Sequence, residues 1–160
     1  MNKTIYKHTI CWLAVAFWMV LIFRLSAQTA TESGGMSEIL VRWFAGVIFR
    51  GFDAMPLQRQ AEILEILQLI VRKGAHFTEY AILAMLIANA IRCYSPSKRM
   101  QWWLPVVASA FYAVTDEIHQ YFVPGRACRA LDMGIDTCGA MFGTAIFVLG
   151  MQLVAKKHRP

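Results

Sequence analysis

Near the start of its final third the chain reads Asp116-Glu117-Ile118-His119-Gln120-Tyr121-Phe122-Val123-Pro124-Gly125-Arg126, followed by Asp132 and Asp136. A second run, Arg72-Lys73-Gly74-Ala75-His76-Phe77-Thr78-Glu79-Tyr80, has the same character. Residues of these types offer two kinds of chemistry. Arg72, Lys73, Arg126 and Arg129 can donate to a phosphate or carboxylate, with Glu117 and the other acids orienting them. His76, Glu79, Asp116, His119 and Asp136 are divalent-metal ligand types. The pairs His76/Glu79 and Asp116/His119 have the i, i+3 spacing of ligands on a helix. A metal held there would activate water against a lipid phosphate or amide, making the chain a hydrolase or transferase. No H-E-x-x-H metalloprotease motif is present.

Helical spacing groups these side chains further. Arg72 and His76 share a face with Glu79 or Tyr80. Asp116, His119 and Gln120 share another, and Asp132 and Asp136 lie one turn apart. Two like charges at that spacing repel unless a proton or a cation lies between them. Each residue also has a plain structural reading. Arg72, Lys73 and Arg129 can snorkel to the membrane surface. Asp132 can cap a helix, and Gln120 can bond a neighbouring helix.

These residues sit in a chain built for lipid. It has 160 residues, 58% hydrophobic and 16% charged. Soluble domains are about 45–50% apolar and about 25% charged, so the excess must face lipid. A charge near the bilayer centre costs about 2.5–3.5 kcal/mol on insertion scales, which marks the two runs as the place to seek function. The net charge of +6 is carried mostly beside apolar spans, as membrane flanks carry it, so nucleic acid is not an expected partner. The four cysteines form no C-x-x-C or zinc pattern.

The expected fold is an all-α membrane protein with about four transmembrane helices, near 8–24, 74–91, 102–122 and 133–155. The first could also serve as a signal peptide ending near Ser26-Ala27, although Arg24 disfavours cleavage. Between the first two spans, residues 29–71 form an amphipathic insertion. Met36, Ile39, Leu40, Trp43, Phe44, Val47, Ile48 and Phe52 recur at helical spacing. Leu57, Ala61, Leu64, Leu67 and Val71 repeat the pattern after Pro56. Both read as outer-face helices lying on the membrane or capping the bundle. Thr31-Glu32-Ser33-Gly34-Gly35 reads as a flexible break. The aromatics Trp12, Trp18, Phe111 and Tyr112 read as packing or lipid-facing residues.

Lys3, Lys7, Arg92, Lys98, Arg99, Lys156, Lys157 and Arg159 fall on one side of this arrangement. The positive-inside rule makes that side cytoplasmic, with both termini there. The polar ends of the second, third and fourth spans then meet at the outer boundary. Val123-Pro124-Gly125-Arg126 reads as a type II turn that folds Arg126 back over the acids. Gly134, Gly139 and Gly143 would let a neighbouring helix approach closely, the latter two at GxxxG spacing. Because the charges gather at one end, a proton or cation path through the molecule is the weaker reading.

Three motifs carry a resemblance. Arg72-Lys73-x-x-His76-Phe77-x-Glu79-Tyr80, then Asp116-Glu117-x-His119-Gln120-x-Phe122-Val123-Pro124-Gly125-Arg126, then Asp132-x-x-x-Asp136-x-x-Gly139 closely resemble the VanZ-like membrane protein family. Ser26-x-Gln28 is similar to the end of that family's first span. The resemblance covers nearly the whole chain in order and is weakest over 29–71. It implies a small multi-helix protein of the bacterial cytoplasmic membrane. Its founding member is associated with resistance to teicoplanin, a glycopeptide acting outside that membrane. The expected partners are therefore a membrane lipid, a lipid-linked cell-wall precursor or a glycopeptide. The label phosphotransbutyrylase, attached to some members, fits poorly, because no soluble domain is large enough for a coenzyme A site.

Overall fold

A computed structural model describes residues 3–157, which are helical with no strand. The side chains of Lys3 and Met36, and all of Arg159, lie outside what is described. The helices are α1 (Lys3–Ser26), α2 (Ala30–Ile48), α3 (Leu57–Arg92), α4 (Lys98–Tyr121) and α5 (Ala130–Lys157). A short 3-10 turn, Phe52–Ala54, follows α2. By length and composition α1, α3 and α5 are apolar enough to cross a membrane. Helix α4 occupies the expected third span and has 24 residues. It falls outside that group because polar residues sit at both ends: Lys98, Arg99 and Gln101 at the start, Asp116, Glu117, His119 and Gln120 in the C-terminal turns.

Two expected boundaries do not exist. The flexible break at Thr31–Gly35 lies inside α2. Thr29 accepts from the Glu32 backbone N–H at 3.3 Å, while the Thr29 N–H donates to the Glu32 carboxylate at 2.9 Å. This reciprocal capping box satisfies the donors that a helix start leaves open. It holds two glycines helical despite a cost of about 1 kcal/mol each. The second boundary, between the amphipathic stretch after Pro56 and the second span, is also absent. Helix α3 runs unbroken for 36 residues. No proline interrupts it, and Thr78 bonds back to the Gly74 carbonyl at 2.8 Å. At 1.5 Å per residue α3 is about 54 Å long, well beyond a hydrocarbon core of about 30 Å.

The N-terminal part of α3 therefore carries α2 as a hairpin. Ala45, Phe52 and Ile63 are buried in a small core there, with Phe49, Leu64 and Leu67 packed around them. Ile39, Trp43 and Val47 remain exposed.

The main core joins Val15 and Ile22 of α1 to Tyr80, Leu83, Ile87 and Ile91 of α3 and Ala113 of α4. Helices α3 and α5 pack most extensively. A Cβ on Gly139 would lie 2.2 Å from the Phe77 carbonyl oxygen, and one on Gly143 would lie 2.0 Å from that of Ala81. Backbone thus packs on backbone at two successive turns, and only glycine fits. Gly134 faces open space and plays no such part, contrary to expectation.

These contacts set direction. Residues 77 and 81 rise beside 139 and 143, so α3 and α5 are parallel. The Tyr112 hydroxyl donates to the Met19 carbonyl at 2.6 Å and the Ser26 hydroxyl to Asp116 at 2.8 Å, so α4 runs parallel to α1. Trp12 donates to Tyr94 at 3.2 Å and Trp18 to the Glu79 carbonyl at 2.9 Å, so α1 opposes α3. The end of α1, the 72–80 run, the end of α4 and the start of α5 consequently share one end of the bundle.

Candidate functional site

At that shared end the chain turns through Val123–Arg126. Gly125 has φ +76°, and the Arg126 N–H donates to the Val123 carbonyl at 3.1 Å. This is the expected turn, with glycine at the position that needs positive φ. It brings the Arg126 side chain back to the segment just after α1, where Nε donates to the Gln28 carbonyl at 3.1 Å. Among the described residues Arg126 forms no ion pair with an acid within 4 Å, so its placement over the acids takes this form instead. Burial, then the neighbouring Arg72 charge, pulls the Arg126 pKa below the usual guanidinium value.

Helix α5 begins at Ala130, earlier than expected, and its first turn contains Asp132. Asp132 is therefore not a cap. Its carboxylate accepts from Lys73 Nζ, which ties α5 to α3. The N–H of Arg129, just before α5, donates to Glu117 Oε2 at 2.8 Å. Glu117 is thus an anchor for the loop, buried at 1% exposure.

Two cavities open here. The smaller, about 100 Å³, is lined by Arg72, Lys73 and His76 of α3, Gln120 of α4, Arg126 and Arg129 of the loop, and Asp132 and Asp136 of α5. One water needs roughly 10–15 Å³ on the same measure, so the space admits a polar group of several atoms. The larger, about 250 Å³, shares Arg72, His76 and Arg126 and adds Glu79, Ser26 and Gln28. Its remaining wall is mostly apolar: Leu25, Leu40, Val71 and Ala75. Ser26, Leu40 and Val71 line the cavity without being marked by the sequence pattern. Their signal is weak, because a serine at a span's end and leucines in an amphipathic helix are ordinary.

Asp136 has no exposed surface, and among the described residues neither carboxylate oxygen has a hydrogen-bond partner. His76 Nδ1 stands 3.7 Å from Asp136 Oδ1 and 4.0 Å from Glu79 Oε2. Both distances exceed a hydrogen bond.

The remaining candidates lie apart from the cavity walls. Asp116 is buried and held by Ser26 and by Gln120 Nε2 at 3.2 Å, which knits α4 to the end of α1. His119 stacks on Phe23 with ring centroids 4.2 Å apart. Tyr80 is fully buried in the core near Tyr112, with centroids 6.2 Å apart. The five metal-ligand candidates are divided accordingly. Asp116 and His119 are engaged with α1, while His76, Glu79 and Asp136 stand loosely together. No three His, Cys, Asp or Glu among the described residues are arranged to hold a metal ion.

Comparison with curated proteins gives no match, and comparison with solved structures gives none. A model of the VanZ/LLP1 family matches residues 11–151, which include all four polar helix ends, both cavities and the glycine contact of α3 with α5. With the apolar helices that place it in a membrane, the chain belongs to the VanZ/LLP1 family.

Proposed function

We propose that this chain is a multi-pass protein of the bacterial cytoplasmic membrane that binds a charged headgroup at its extracytoplasmic face. The ligand class is the anionic or zwitterionic head of a membrane lipid, a lipid-linked envelope precursor or a glycopeptide antibiotic. The observation that carries this reading is the pair of adjoining cavities sharing Arg72, His76 and Arg126. Guanidinium groups bind phosphate and carboxylate through two parallel N–H bonds, and weak hydration of the guanidinium suits a partly buried wall. Lys73 is occupied by Asp132, which leaves Arg72, Arg126 and Arg129 as the donors. The apolar wall of the larger cavity suits the part of an amphiphile next to its head.

In this reading α4 is the third of four spans, and α2 with the start of α3 lies at the outer surface. Lys7, Arg92, Lys98, Arg99, Lys156 and Lys157 then face the cytoplasm, as do both termini. The family's association with teicoplanin resistance fits a site reached from outside.

Equilibrium binding to purified protein tests the reading. The ligands are short-chain phosphatidylglycerol, short-chain phosphatidylethanolamine and teicoplanin. At least one should bind, and Arg126→Ala should weaken it about tenfold or more, as loss of a charge-assisted hydrogen bond does. Binding of none of them, or equal binding by folded Arg126→Ala, would refute the proposal.

A further inference from the structure

The smaller cavity is lined both by arginines and by a buried acid without a hydrogen-bond partner among the described residues. On one side Arg72 and Arg126 border both cavities. On the other, Asp136 is fully buried, lines the cavity and has no hydrogen-bond partner among the described residues. Among the described residues His76 is the one basic group within ion-pair distance of it, and no hydrogen bond joins the two. Lys73 is held by Asp132, and His76 stays beyond hydrogen-bond distance at 3.7 Å. A buried carboxylate without a partner is costly. A plain anion would satisfy the arginines and leave Asp136 as it is. A plain cation would do the reverse.

We infer that the ligand is a phosphate ester bearing a primary ammonium, as in phosphoethanolamine, with its phosphate on Arg72 and Arg126 and its ammonium on Asp136. An ammonium brings three N–H donors and no acceptor, which matches a carboxylate with both oxygens open. The larger cavity, which shares the Arg72, His76 and Arg126 walls, receives the glycerol and first acyl carbons against Leu25, Leu40, Val71 and Ala75. This inference rests on the headgroup reading above and specifies the chemistry of that same site.

The test compares three short-chain lipids on the purified full chain: phosphatidylethanolamine, phosphatidylglycerol and phosphatidylcholine. Phosphatidylethanolamine should bind about tenfold more tightly than phosphatidylglycerol, the scale of one charge-assisted hydrogen bond. Phosphatidylcholine keeps the positive charge and has no N–H, so it should lose most of that preference. Asp136→Asn should bring phosphatidylethanolamine down to the level of phosphatidylglycerol. Should Asp136→Asn fail to fold, the choline comparison decides the matter without a variant. Soluble glycerophosphoethanolamine separates the sources. Competition at comparable affinity assigns the site to a free headgroup, and competition a hundredfold weaker assigns it to a bilayer lipid. Phosphatidylglycerol binding as tightly as phosphatidylethanolamine would overturn this inference and leave the headgroup reading standing. Binding of neither lipid, with teicoplanin bound, would overturn it likewise. Binding of no probe at all would end both.

Discussion

At the scale of single residues, the site separates into side chains that line space and side chains that hold the walls. Ser26 belongs to the second kind. Its hydroxyl donates to the buried Asp116 carboxylate and bridges α1 to α4. Ser26→Ala should cost roughly 1–3 kcal/mol, because the acceptor stays buried with one donor fewer. A thermal unfolding midpoint equal to wild type in the same detergent would show that the bond contributes nothing. Lys73 and Asp132 form a half-buried pair between α3 and α5. A double-mutant cycle with Lys73→Met and Asp132→Asn should give a coupling of about 1 kcal/mol, the upper end for partly exposed pairs. Additive effects would mean that the pair does not form. The residue types of the site were legible because charged and polar groups stand out in apolar sequence. Their partners were not. That His119 would meet Phe23, and Glu117 the backbone of Arg129, depends on how the helices rotate. Spacing along one helix fixes which residues share a face and leaves open what that face meets.

At the scale of elements, the parallel contact of α3 with α5 sets the geometry of the site, since it lines up 72–76 with 132–136. Its tolerance is narrow. Gly139→Ala or Gly143→Ala would drive a Cβ into a carbonyl oxygen of α3. Each should destabilise the protein by about 1–3 kcal/mol or more, as overpacking does. Gly134→Ala and Gly150→Ala meet nothing within 4 Å, so each should be neutral or stabilising by up to about 1 kcal/mol through helix propensity. Unfolding measurements on the four variants check the contrast, and equal effects at all four positions would contradict the packing. The GxxxG pair was legible because its spacing is periodic. The continuity of α3 was not, because the change from amphipathic to apolar patterning at Gly74 looks like a boundary. Nothing there breaks the backbone, and a hydrophobic pattern reports what surrounds a helix and not where it ends. The capping box shows the opposite case. Thr29 and Glu32 have the required spacing, but the glycines after them gave the stronger signal, and the cap outweighs it.

At the scale of the whole molecule, four helix ends meet because α1 and α4 run one way and α3 and α5 the other. The relative directions of the helices were legible from span order alone, and the contacts that place Trp12, Trp18, Ser26 and Tyr112 follow the same order. Which side of the membrane the site faces is a separate prediction. A C-terminal alkaline phosphatase fusion should be inactive and a C-terminal fluorescent fusion active, as for a cytoplasmic terminus. The reverse pattern would turn the cavities toward the cytoplasm and remove glycopeptides from the ligand classes. The central claim is that the cavities at the shared end hold a charged headgroup. Mass spectrometry of the intact protein, released from detergent with bound lipid preserved, tests it most directly. The account predicts one retained phosphate-containing molecule per chain, lost in Arg126→Ala and kept in Arg99→Ala at the opposite end of the bundle. A wild-type chain that retains none, or equal loss from both variants, would contradict it.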